Sequence, residues 1–201
     1  MKKILFILVA IFTFSFINAQ EVHFGAKAGL NLATMNSSDS EFNNLIDGSR
    51  TAFHAGAVID ISFSDKFSVQ PELLYSSVGA IFDYDGVARY SESEFGYVLD
   101  YLSIPVMAKY YVADGFSLEV GPQIGFLLSA KAENDSDEED IKEYMESTDF
   151  GLGFGTGYKM ENGLFFNARY NLGLSNIFSD VDDGDWIKNN VFQFSVGFMF
   201  N

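Results

Sequence analysis

Seven charged side chains fall among alternating apolar and small residues: Lys27, Lys109, Lys159 and Arg169 against Asp60, Glu72 and Glu119. In each stretch the charge takes the parity of the small residues, so an extended chain places all seven on one face. Cations and carboxylates held on a shared interior face can neutralise one another or relay protons. A relay needs a continuous wet path, of which the sequence gives no sign. The expected outcome is an ion-pair network that plugs a narrow interior.

Other chemistry finds less support. The two histidines, His23 and His54, share that interior parity but stand near opposite ends of it. They cannot form one site, no Ser, Cys or metal constellation gathers around either, and no cofactor is expected. Satisfied polar residues of the interior is the expected role for both. Acidic residues crowd two other segments. Glu133, Asp135, Asp137, Glu138, Glu139, Asp140, Glu143 and Glu146 lie in one, and Asp180, Asp182, Asp183 and Asp185 surround Gly184 and Trp186 in the other. The second group is a candidate for Ca²⁺, although its glycine comes one place too early for an EF-hand loop and no Glu stands at the twelfth position. Solvated charge that repels itself and keeps the segments extended, or that bridges to lipopolysaccharide through shared divalent ions, fits both groups better.

Composition narrows the class. Lys2 and Lys3 precede an apolar run from Ile4 to Ile17, and Asn18-Ala19 offers a small residue before Gln20, which reads as a secretory signal over residues 1–19. Removing it lowers the 12 basic residues to 10 against 28 acidic ones, a formal charge of −18, so nucleic acid is not an expected partner. The absence of cysteine excludes a lipoprotein anchor, disulfides and thiolate metal sites. Residues 20–201 suit one domain, and no later stretch approaches the roughly 18 apolar residues of a membrane helix.

The positioning elements are eight alternating stretches, near 22–34, 50–63, 67–79, 96–112, 116–130, 148–160, 164–175 and 190–200. Each exceeds the roughly 9 to 11 residues that a tilted strand needs to cross hydrocarbon. The clearest is the last, with Phe192, Phe194, Val196, Phe198 and Phe200 on one face and Gln193, Ser195, Gly197 and Met199 on the other. Three connectors are very short: Ser64-Asp65-Lys66, Ala113-Asp114-Gly115 and Glu161-Asn162-Gly163. The last two place Gly where a three-residue hairpin wants a left-handed residue. Four others, near 35–49, 80–95, 131–147 and 176–189, are long. Short turns at one rim and long loops at the other are the periplasmic and extracellular ends of an outer-membrane barrel, with both termini periplasmic.

Parity carries through the turns. With hairpin centres at 65, 114 and 162, Phe63 faces Phe67, Val112 faces Phe116 and Met160 faces Leu164, while Lys109 falls opposite Glu119 and Arg169 opposite Gly155. One face then carries Phe24, Leu30, Phe53, Leu73, Val106, Leu118, Val120, Phe154 and Leu172; the other is rich in glycine and serine. Small residues suit a narrow lumen, so the expected fold is an all-β, eight-stranded antiparallel up-and-down transmembrane β-barrel with its apolar face to lipid. Pro71, Pro105 and Pro122 each remove a ladder donor from such a wall, which predicts bulges or water-linked sites there.

The segments FGAKAGLNLATM, FSVQPELLYSSVG, YLSIPVMAKYYV, LEVGPQIGFLLSAK and FSVGFMF together resemble the PorT-type outer-membrane β-barrel proteins of Gram-negative bacteria, over essentially all of the chain after the leader. The resemblance implies an eight-stranded barrel in the outer membrane, with strand prolines as a family feature. It also implies barrel-assembly machinery as a partner that reads a terminal aromatic, here Phe200, and, through the founding member, an association with protein secretion. A non-enzymatic barrel with a structural or surface-interaction role is the leading reading. An accessory of a secretion system, a soluble lipocalin-like binder and a small-solute channel stand as alternatives.

Overall fold

The computed structural model describes residues 21–82, 95–134, 137–180 and 184–200. Its strands are β1 (Glu21–Ser37), β2 (Ile46–Ser64), β3 (Phe67–Phe82), β4 (Phe95–Ala113), β5 (Phe116–Glu133), β6 (Glu138–Asp140), β7 (Thr148–Lys159), β8 (Leu164–Gly173) and β9 (Ile187–Phe200). One helical turn, α1 (Ser40–Leu45), follows β1, and a 3₁₀ turn spans Lys142–Tyr144. All strands but β6 pair antiparallel with their neighbours in order, and β9 returns to β1, so eight strands close a ring. β6 is a three-residue addition to the end of β5. Closure leaves the ring without a free edge, which removes the main hazard of a long apolar strand.

Alternation decides which face turns inward. In β9, Phe192, Phe194, Val196, Phe198 and Phe200 are exposed, whereas Val191, Gln193, Ser195, Gly197 and Met199 are buried. The same holds around the ring, where Phe24, Leu30, Phe53, Leu73, Val120 and Phe154 point out. A lipocalin-like arrangement would reverse these faces. Among the described residues no helix is long and apolar enough to cross a membrane.

The three short hairpins set the register. Pairs Ile61 with Val69, Lys109 with Glu119 and Gly155 with Arg169 share the turn centres 65, 114 and 162. Gly115 and Gly163 take φ of 73° and 89°, the left-handed conformation these turns require. At two tips the pairing slips by one, to Ser64 with Phe67 and Ala113 with Phe116. Phe63 and Phe67 still pack, with ring centroids 5.9 Å apart.

The prolines do not create the expected bulges. Pro71 pairs with Val106, Pro105 with Gln123 and Pro122 with Leu152, and register continues across each. A missing N–H interrupts one rung but does not add a residue, so the strand stays in phase. The register shifts lie nearer the ends, for example between Asp100 and Tyr101 opposite Leu127 and Ser129. That shift brings both Leu127 and Ala130 inward.

At the long-connector end the described loops are folded, not held apart by charge. Met35, Ile141, Met145 and Ile177 are buried in one cluster with Phe82, Leu99 and Leu127. Phe42 of α1 meets Phe82 edge-on at 5.5 Å, and Phe178 meets Tyr97 at 5.7 Å. A bridge between Met145 and Phe178 joins the third loop to the fourth, and Ser38 N–H donating to the Trp186 carbonyl joins the first to the fourth. Scattered apolar side chains of the loops thus pack onto the inner wall at this end of the barrel while the acids stay outside.

Candidate functional site

The lumen below this cap is filled by charge. Lys27 Nζ lies 2.7 Å from Glu72 Oε2, and Arg169 binds the same carboxylate with both terminal nitrogens, at 3.1 and 2.9 Å. Arg169 Nη2 also donates to Glu119 Oε2 at 3.1 Å. Lys109 Nζ stands 3.5 Å from Glu119 Oε1 and 3.7 Å from Asp60 Oδ2. Three cations therefore face three carboxylates, contributed by β1, β2, β3, β4, β5 and β8, and all six side chains are buried. A buried set of this kind tolerates its desolvation only when the charges balance and the spare lone pairs find donors.

Neutral neighbours supply those donors. Gln70 donates to Glu72 Oε1 at 2.8 Å and accepts from Lys109 at 3.0 Å; Asn167 donates to Glu119 at 2.7 Å, and Ser68 to Asp60 at 3.1 Å. Glycines of β7 make the room. A Cβ on Gly157 would stand 2.5 Å from Glu119 Oε1, and one on Gly155 would meet Ala168 and Arg169.

Lys159 is not part of this network. It shares the inward parity, but it sits at the last position of β7, half-buried at the short-turn rim, where water can solvate its ammonium. Among the described residues it forms no ion pair. Without it the network balances three cations against three carboxylates.

Above the ion pairs lies a second polar layer. His54, fully buried, has Nδ1 2.7 Å from Asn31 Oδ1 and Nε2 2.8 Å from Ser195 Oγ. Asn31 Oδ1 also accepts from Gln193, while its amide donates to Ser76 Oγ and the Ser77 carbonyl. A neutral imidazole with the proton on Nδ1 satisfies both contacts. His23 stands apart near the start of β1, opposite Asp60, and its Nδ1 has no hydrogen-bond partner.

The acidic loop residues are spread, not gathered. Among the described residues no group of three or more His, Asp or Glu could hold a metal ion. Of the four Ca²⁺ candidates, Asp182 and Asp183 lie outside the described residues, Asp180 is exposed, and Asp185 accepts from Ser38 Oγ at 2.9 Å as a tie between loops. Lys131 and Glu138 close the β5–β6 hairpin at 2.6 Å; that hydrogen bond raises the lysine pKa above its usual value. Asp135 also lies outside the described residues, whereas Asp137, Glu138, Glu139, Asp140, Glu143 and Glu146 are exposed.

A closed ring with an apolar exterior and a charge-filled lumen agrees with what known proteins show. The family described as "Outer membrane protein beta-barrel domain" matches residues 18–179. The chain belongs to that family. Membership implies the outer membrane as its location. Among solved structures, Neisserial surface protein A aligns with TM-score 0.54 and 13% identity, covering 88% of this chain and 97% of its own. Ail, the attachment invasion locus protein of Yersinia pestis, aligns with TM-score 0.51 and 16% identity, covering 90% and 99%. At such identities the likeness is one of fold. No functionally curated protein matches the sequence.

Sequence reasoning did not single out Gln70, Asn167 or Asn31, and it placed Gln193 and Ser195 on the inward face without assigning them partners. Each has the inward parity of its strand, which was the available signal.

Proposed function

We propose that the protein is a non-enzymatic, non-conducting integral barrel that displays a folded loop cap at the cell surface. The observation that carries this reading is the pairing of an apolar outer belt with a lumen closed by a neutral, fully buried ion-pair network. The three short turns and both chain termini face the periplasm, the long loops face outward, and residues 1–19 are the leader removed on export. The partners are outer-membrane lipid, lipopolysaccharide reached through divalent ions on the acidic loops, and assembly machinery reading Phe200.

The surface role follows from the cap. Its exposed charged side chains are mostly acidic, and Tyr144 and Trp186 are exposed beside them. Ail has been crystallised with the heparin analogue sucrose octasulfate. A cap of this charge repels such a polyanion, so a cationic or cation-bridged surface is the fitting partner here. Membership in the PorT-type branch, with a part in protein secretion, is the finer reading. Periplasmic retention of exported proteins in a deletion strain would support it, and unchanged export would leave surface display.

The test combines outer-membrane fractionation, comparison of boiled and unboiled gel migration, and planar-bilayer recording. The reading expects outer-membrane recovery, a heat-dependent shift in migration and no steady conductance. Recovery without detergent from the periplasm, or a stable open channel, would overturn it.

A further inference from the structure

Between the His54 layer and the apolar cap the lumen opens into a cavity of about 30 Å³, with Asp149, Asn171, Gln193, Gln123 and Tyr101 in its wall. Among these, Asn171, Gln193 and the Tyr101 hydroxyl present polar atoms with nothing to bond. Asn171 is 5% exposed and neither atom of its amide has a partner. Gln193 is 3% exposed; its Nε2 is used on Asn31, and its Oε1 is left without a donor. A further feature is charge. Asp149 accepts from Ser175 Oγ at 2.9 Å and from Asn189 Nδ2 at 3.2 Å, yet among the described residues it forms no ion pair. The buried cations of the lumen are already matched by Asp60, Glu72 and Glu119.

Size and chemistry restrict the occupant. A water-sized particle needs about 10 to 15 Å³ by this measure, so the space holds one or two and excludes a sugar or nucleotide. Water alone could donate to the amide oxygens but would leave the carboxylate uncompensated in a low-dielectric wall. Calcium takes about 6 to 8 oxygens and favours several carboxylates, and only one is present. Oxygen donors bearing a single negative charge match a hard, singly charged ion.

We propose that this cavity is a binding site for a small monovalent cation, sodium or potassium, held by the Asp149 carboxylate together with the amide oxygens of Asn171 and Gln193. The ion neutralises the upper lumen as the ion-pair network neutralises the lower. It sits where β4, β5, β7, β8 and β9 meet beneath the cap, so binding ties the wall to the loops.

The test uses the folded barrel in a non-ionic detergent. Its unfolding midpoint is measured at fixed ionic strength as sodium or potassium chloride replaces choline chloride, whose cation is too large for the cavity. The expected result is a saturable rise of roughly a few degrees with either metal. Asp149→Asn should abolish that response and, lacking the unpaired charge, match or exceed the native protein in choline. Asn171→Leu should abolish it independently, and Glu143→Gln on the cap should retain it. Equal midpoints in all three salts overturn the proposal. So does an Asp149→Asn protein that is weakened in every salt but still responds to sodium or potassium, because Asp149 is then only a hydrogen-bond acceptor for Ser175 and Asn189.

Discussion

Arg169 grips Glu72 across the lumen through two parallel hydrogen bonds, Nη1 to Oε2 at 3.1 Å and Nη2 to Oε1 at 2.9 Å, joining β8 to β3 over 97 positions of sequence. The fork matches a carboxylate in geometry as well as charge. Glu72 also neutralises Lys27, which makes it the hub on which two buried cations depend.

Glu72→Gln should therefore be among the most damaging single changes in the lumen. It leaves three buried cations facing two carboxylates, with Lys27 losing its ion-pair partner and Arg169 keeping only Glu119, at a cost of about 3 to 5 kcal/mol. Adding Lys27→Met should recover part of that loss by restoring neutrality. Lys159→Met, outside the network, should change stability by less than about 1 kcal/mol. Urea titration followed by the difference in gel migration between folded and unfolded barrel reads all three.

The contrast between Lys109 and Lys159 shows what the sequence could and could not reveal. Alternation fixes which face a residue takes, and hairpin arithmetic fixes its neighbour across a short turn. The pairs Lys109 with Glu119 and Gly155 with Arg169 were legible for that reason. Depth along the axis was not, because parity is the same at the rim and in the middle; hence Lys159 was grouped with the interior. The link from Glu72 to Arg169 crosses between strands that are not neighbours, and no turn encodes it. The cap was hidden for another reason. Met35 keeps the inward parity of β1, but Ile141, Met145 and Ile177 come from two different loops and follow no period, while the acids around them dominate the local composition.

The glycines of β7 are required by volume. A methyl group on Gly157 would lie 2.5 Å from Glu119 Oε1, 2.7 Å from Asn167 Nδ2 and 2.9 Å from Ser117 Oγ. Gly157→Ala should cost roughly 1 to 3 kcal/mol by forcing the carboxylate out of its contacts with Lys109 and Asn167. At Gly48, near the loop end of β2, a Cβ meets nothing within 4 Å, so Gly48→Ala should be tolerated. Equal unfolding midpoints for the two variants would mean the lumen is loose there.

The cap should melt without the barrel. Ile177 is 1% exposed and packs in the loop cluster, so Ile177→Asp places a charge where no cation waits, a cost of several kcal/mol that exceeds what the loop packing supplies. Limited proteolysis should then cut near Ile141 and Ile177 faster than in the native protein. The heat-dependent gel shift should persist, because no ladder pair of the ring is touched. Loss of both together would make the cap part of the folding unit of the wall.

The lipid face gives the sharpest contrast between positions of similar exposure. Phe194 and Val120 are about half exposed, as is Tyr144 on the cap. A soluble sheet would accept lysine at all three. In a bilayer, Phe194→Lys and Val120→Lys place an ammonium near mid-depth, at a cost of about 2 to 4 kcal/mol each, whereas Tyr144→Lys remains in water and should be close to neutral. Folding into vesicles of graded chain length separates the cases. The first two variants should fold less well as the hydrocarbon thickens, and the third should follow the native protein throughout. A uniform response at all three positions would mean that the phenylalanine belt meets something other than lipid.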